Sequence, residues 1–476
     1  MKKQLVTLAA LAMSLSAMAE ITLPDIIGDN MVLQQQSQAS LWGWATPNAP
    51  ITVTTSWNNK SYTTKTASNG RWDIKVATAE ASYSPYTISI KGDKSSINIS
   101  NVLLGEVWFC SGQSNMEMPL RGFWTQPVEG GNRAIAYSGK YPGIRVVTVP
   151  KKASYTPQDR VEGKWKTSSP ANAGEFSAMA YFFAQSLTDI LNVPVGIISC
   201  SYGGSKVEGW LPKEIIDTYP EWDIEKDKAN DSIQEYERIN VMYNAMLRPL
   251  IGYTIKGFLW NQGESNVGRD KEYPQHLADM VSHWREQWGQ GELPFYFVEL
   301  PAWKYSDPNG TWAAIFRECQ HRAAKIIPNS GIICTSDLIY PYELEDIHAS
   351  RKQELGERMA FLAANRTYGI SGIACDSPVF KSMDVDGKSA VLHFDNANDG
   401  FTPNQVLEGF EAAGSDHVFH PAQATEVYNT RDIKVTCEDV DSIVSVRYNF
   451  KNFAVGKVFN LMHLPLIPFR TDNWDY

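Results

Sequence analysis

Apolar and polar positions follow three successive rhythms along the chain. From about residue 20 to 102 the period is two, in short runs such as Ile51-Thr52-Val53-Thr54 and Tyr86-Thr87-Ile88-Ser89-Ile90. Turn signals part them: Thr46-Pro47-Asn48, Asn58-Asn59, Asn69-Gly70 and Gly92-Asp93. Half-buried strands with such punctuation predict a small β-sandwich. After Gly105, unbroken apolar runs alternate with helical spacing. Strands are predicted at 107–110, 144–149, 195–199, 255–260, 295–300 and 331–335, and helices at 175–191, 273–288, 311–327 and 351–364. A strand covered on both faces needs no polar side, so this region predicts a parallel sheet with helices on both faces. The polar segment 213–248 is expected to add helices beside a cleft. Past Cys375 the period of two returns at 390–394, 433–436 and 443–446, as a second small β-module or as strands joined to the first. The expected divisions are 20–102, 103–374 and 375–476.

Residues 1–19 share none of these rhythms. Lys2-Lys3, an apolar middle and Ala17-Met18-Ala19 before Glu20 are the marks of a secretory signal peptide. The mature chain is therefore expected to begin at Glu20 and to be secreted, into a periplasm. No later stretch has the ~18 consecutive apolar residues of a membrane span, so no membrane insertion is expected. A net charge of −10 without a basic run argues against nucleic-acid binding. The 15 Trp, 21 Tyr and 19 Phe are enough to build cores and still leave rings to stack on sugars. Six cysteines (110, 200, 319, 334, 375, 437) contain no C-x-x-C pair, hence no zinc or redox motif. Export would permit a disulfide or two, whose pairing sequence does not give.

Polar clusters fall at the ends of the predicted strands. Gly112-Gln113-Ser114-Asn115-Met116 follows the first, Tyr202-Gly203-Gly204-Ser205 the second of interest, and Asn261-Gln262-Gly263-Glu264-Ser265-Asn266 the third. Leu344-Glu345-Asp346-Ile347-His348 follows the last. Open α/β sheets bind ligands at the carboxyl ends of their strands. Ser114 is thus a candidate nucleophile, and His348 a candidate base with a carboxylate just ahead of it. Glycine lets a backbone N–H approach a substrate, and Asn261 or Gln262 offers a neutral donor for an oxyanion. Singly, each cluster reads as an ordinary turn; four at one end of one sheet do not. Met116 breaks the G-x-S-x-G elbow of the α/β-hydrolases. His276 and His283 stand seven apart on a predicted helix without a carboxylate partner in the motifs, so no metal or cofactor is expected.

Serine first, then glycine, then an amide, then paired acid and histidine is the block order of the SGNH (GDSL-like) hydrolases. Within them the chain resembles the sialate O-acetylesterase family through 103–120 (LLGEVWFCSGQSNMEMPL), 201–212 (SYGGSKVEGWLP), 243–266 and 346–360 (DIHASRKQELGERMA). The resemblance implies a flavodoxin-like SGNH α/β domain with accessory β-sandwich modules. It also implies a serine esterase that removes acetyl groups from sugars, sialic acids in particular, without a cofactor. Ser114 would be the nucleophile and His348 the base, with Gly203 and Gln262 completing the oxyanion hole. Asn261 and Ala349 replace a Tyr and a Pro common in the family. Asp346 is expected to orient His348; Glu345, or a serine–histidine dyad, are the alternatives. Acetylxylan deacetylation by the same fold and non-catalytic carbohydrate binding are the rival functions. Arg121, Lys206 and Arg351 flank the motifs as cations that a sugar carboxylate could meet.

Overall fold

The computed structural model describes residues 20–93 and 95–474; the leader-like segment 1–19 lies outside them. One long strand, Ser96–Gly112 (β1), ties the fold together. Its first residues alternate Ile97 and Ile99 with Ser and Asn, and pair antiparallel with Ser82–Lys91. From Val102 onward every residue is buried, and the strand enters a second, parallel sheet. The expected boundary at 102/103 therefore falls inside a strand. Gly105 reads as a breaker in sequence, yet it sits in mid-strand, because any Cβ there would lie 2.1 Å from the Pro194 carbonyl oxygen. The neighbouring Glu106 is buried with three donors on its carboxylate: Gln34 Nε2 at 3.0 Å, Gln35 Nε2 at 2.6 Å and the Tyr368 hydroxyl at 2.8 Å. A buried charge needs such satisfaction.

The parallel sheet continues with β2 (Ile144–Thr148), β3 (Val195–Ser201), β4 (Gly257–Asn261), β5 (Phe295–Val298) and β6 (Ser330–Ile333). Its spatial order is β6-β5-β4-β1-β3-β2, with a short antiparallel strand, Lys166–Thr167, on the β2 edge. From β1 the chain runs first to one side and then to the other, which opens a crevice at the carboxyl end of β1. Alternate residues of each strand face opposite layers. Trp108, Cys110, Ile197, Leu259 and Tyr296 pack against α1 (Ala178–Leu191) and α4 (Lys352–Arg366). Val107, Phe109, Ile198, Phe258 and Trp260 pack against α2 (Tyr273–Trp288) and α3 (Trp312–Ile326), and this core runs on into the N-terminal sandwich. A Cβ on Gly356 would lie 2.6 Å from Phe182 Cβ, so glycine sets the approach of α4 to α1.

Beyond α4 the chain forms a five-stranded and a four-stranded sheet around a core of their own. These strands pair only with one another among the described residues, so the tail is a second β-module and does not extend the first. All six cysteines are free thiols. No helix among the described residues is long and apolar enough to cross a membrane.

Candidate active site

Gly112 closes β1 at φ +136, with the Asn261 carbonyl oxygen 2.1 Å from where a Cβ would stand. Only glycine allows β1 and β4 to converge so closely at their ends. Gln113 then fastens the turn to the β4 loop: its N–H donates to Asn261 O at 2.9 Å, and its Oε1 accepts Gly263 N–H at 3.2 Å. Ser114 begins the single helical turn Ser114–Glu117 and is half-buried.

Asn115 joins the Ser114 turn to the histidine segment. Its Nδ2 donates to Ile347 O at 3.2 Å and to the Glu264 carboxylate, while its Oδ1 accepts Lys352 Nζ at 2.6 Å. Residues adjacent to Ser114 and to His348 are thus hydrogen-bonded to each other. Burial raises the Glu264 carboxyl and lowers the Lys352 ammonium to about 8. Glu343 shapes the segment ahead of the histidine, its carboxylate accepting Tyr340 N–H at 2.8 Å and Ser350 N–H at 3.0 Å.

His348 Nδ1 is bonded to Gln126 Oε1, and the Phe123 ring stands edge-on to the imidazole, 5.1 Å between centroids. A carboxamide oxygen only accepts, so Nδ1 carries the proton and Nε2 the free lone pair. That Nε2 is buried and has no partner among the described residues. Burial, reinforced by the Lys352 charge, lowers the imidazole to about 4. Asp346, expected at the ring, makes no side-chain hydrogen bond or ion pair among the described residues, and Glu345, the alternative, pairs with Lys304. Gln126, arriving on a separate segment, takes the Nδ1 position first.

Gly203 abuts the serine, since a Cβ on it would lie 3.5 Å from Ser114 Cβ. Its N–H donates to Glu117 Oε2 at 2.7 Å, and Glu117 Oε1 pairs with Lys151 Nζ at 2.9 Å. Gln262, expected as an oxyanion donor, is used otherwise. Its Nε2 donates to Asn266 Oδ1 at 2.7 Å and Ser205 O at 3.1 Å, and its Oε1 accepts the Tyr273 hydroxyl at 3.0 Å. The Asn261 amide donates to Met179 Sδ at 3.4 Å in the core. Both amides brace loops.

The remaining candidates are surface or core groups. Arg121 pairs with Glu175, and Arg351 with Glu354. Lys206 lines a groove of about 1020 Å³ walled by the 213–248 segment. His276 is packed between Tyr219 and Trp222, and His283 meets the Tyr243 hydroxyl at 3.1 Å. Asn115, Glu264 and Lys352 went unread although they lie inside or beside the quoted motifs; polar residues packed between buried strand ends are the signal. Glu117 lies inside the 103–120 motif as well, whereas Gln126 and Lys151 carry no such mark.

Residues 104–365 match the family described as carbohydrate esterase, sialic acid-specific acetylesterase. Sialate O-acetylesterases from Pongo abelii and Homo sapiens are each 26% identical over 416 residues, spanning 77% of this chain and 75% of theirs. A crystal structure of a carbohydrate acetylesterase from Xanthomonas citri superposes with a TM-score of 0.84 at 33% identity, covering 96% of this chain and 100% of that one.

Proposed function

The chain belongs to the sialic acid-specific acetylesterase family of carbohydrate esterases, and from that premise we propose a serine-based hydrolysis of O-acetyl sugars, sialic acids first among them. In this reading His348 Nε2 takes the Ser114 proton as Oγ attacks the acetyl carbonyl. The oxyanion forms against the N–H groups of Ser114 and Gly203, each donor contributing on the order of 10²–10³ in rate. Collapse breaks the bond to the sugar oxygen, which takes the proton from His348 and leaves as the sugar hydroxyl. Water, deprotonated by the same nitrogen, then releases acetate from acetyl-Ser114. The SGNH block order supports this assignment, and the leader-like segment before Glu20 supports export of the mature chain.

The observation that carries the reading is the buried, unpartnered Nε2 of His348, on a segment hydrogen-bonded to the nucleophile's neighbour. A base needs its lone pair free and its other nitrogen fixed. The test is acetate release from O-acetylated sialic acids, acetylxylan and simple acetylated sugars, with Ser114→Ala alongside. Loss of at least about a thousandfold in kcat is expected for the variant. Turnover that survives the substitution would remove Ser114 from the chemistry. Failure of the wild type to release acetate from any of them would remove the esterase reading.

A further inference from the structure

Glu117 stands in the nucleophile's own turn and keeps both oxygens engaged. One accepts the Gly203 N–H at 2.7 Å; the other meets Lys151 Nζ at 2.9 Å. An ester oxygen acquiring charge cannot share that N–H with a carboxylate, because two like charges at contact distance repel by several kcal/mol in a partly desolvated site. Substrate must therefore displace Glu117 from Gly203. Lys151 differs from the other cations near the strand ends in that its partner, Glu117, already occupies the Gly203 N–H. Its side chain is 51% exposed, so it is reachable from solvent, and its Nζ lies 5.7 Å above the Tyr202 ring.

We infer that Lys151 is the specificity residue for O-acetylated sugar acids, and that Glu117 holds the place of such a substrate in the free enzyme. The inference rests on the esterase reading above. An acidic sugar brings two groups to this pair: its carboxylate takes Lys151, and its ester carbonyl takes the Gly203 N–H that Glu117 vacates. A neutral acetylated sugar offers only the second, so nothing replaces Glu117 on Lys151 and the carboxylate stays poised to return to the Gly203 N–H. On a protein of net charge −10, an exposed cation at this point favours the approach of an anionic substrate.

The experiment compares kcat/KM on 9-O-acetyl-N-acetylneuraminic acid with that on acetylated xylo-oligosaccharide, for wild type, Lys151→Met, Lys151→Arg and Glu117→Gln. Wild type is expected to favour the acid. Lys151→Met should cut the acid-to-neutral ratio by at least about tenfold, chiefly through KM on the acid, the usual size of a lost charge-assisted contact. Lys151→Arg should keep the ratio within about threefold. Glu117→Gln, which strips the internal competitor of its charge, should lower KM for the acid. A ratio unmoved in Lys151→Met, with both substrates changing in parallel, would overturn the inference and leave the esterase standing. A wild type that hydrolyses only the neutral sugar would do the same. Acetate from neither would remove the esterase reading and this inference together.

Discussion

The Nδ1–H of His348 ends on the Oε1 of Gln126, a group without net charge. A carboxylate there would stabilise the imidazolium that forms as the serine gives up its proton; a carboxamide fixes the tautomer and contributes less to that charge. With burial and Lys352 both disfavouring the cation, the imidazole is held at about 4. The sign follows directly: in the mechanism proposed above neutral His348 is the working form, and it is lost only as pH falls through about 4. In the unfolded chain the same ring protonates near its ordinary 6.5, so its contribution to stability is complete above that value and declines from there down to about 4. The acid limb of kcat/KM should accordingly lie near pH 4 in wild type and in Asp346→Asn. Gln126→Leu should lose at least about tenfold in kcat through the freed tautomer, against up to ~10⁴ for the orienting acid of a full triad. A large loss in Asp346→Asn with Gln126→Leu unimpaired would return the orienting role to the carboxylate.

The segment 119–130 is the element that brings Phe123 and Gln126 to the histidine, and it leaves Trp124 92% exposed between them. A large exposed ring at a site rim marks a binding surface, and an indole offers a flat apolar face to a sugar ring. Trp124→Ala should lower the kcat/KM ratio of acetylated sugar to 4-nitrophenyl acetate by about threefold or more, since the small ester has no ring to stack; an unchanged ratio would place the indole outside the binding surface. Sequence periodicity does not reveal such a segment, because a loop's contacts depend on where its two ends are anchored. The strands of the parallel sheet were legible for the opposite reason: two covered faces demand an apolar run, and 195–199 or 295–300 can hardly be anything else. The continuity of β1 was not legible, since the tight approach to Pro194 that makes Gly105 necessary is a long-range fact. For the same reason Gln262 could be recognised as an amide at a strand end but not as one committed to Asn266, Ser205 and Tyr273. Residue type is local, whereas the direction of a hydrogen bond belongs to the packed neighbourhood.

At the scale of the molecule, the C-terminal β-module reaches the His348 segment through packing. Ala349, the residue after His348, lies in a small apolar cluster with Ala302, Ile339, Phe453 and Val455. Gly456 N–H donates to Ser336 O at 2.7 Å, just past β6. Asn452, fully buried, clasps the loop into α3: its N–H donates to Gly310 O at 2.6 Å, its Oδ1 accepts Ala313 N–H at 2.8 Å, and its Nδ2 donates to Asp307 O at 2.8 Å. The same loop carries Trp303, whose Nε1 donates to Glu345 O at 3.2 Å, and Lys304, which pairs with the Glu345 carboxylate. The C-terminal module, the α3 loop and the histidine segment thus form one connected body, although the chain pattern divides them cleanly. Asn452→Ala removes two side-chain hydrogen bonds and leaves a buried donor unsatisfied, a cost of about 1–3 kcal/mol. In chemical denaturation the variant should unfold at lower denaturant in a single transition, with esterase activity lost across the same range as the β-signal. A first transition that melts the C-terminal module while activity persists would show that the module only neighbours the site; coincident loss means that it holds His348 in place.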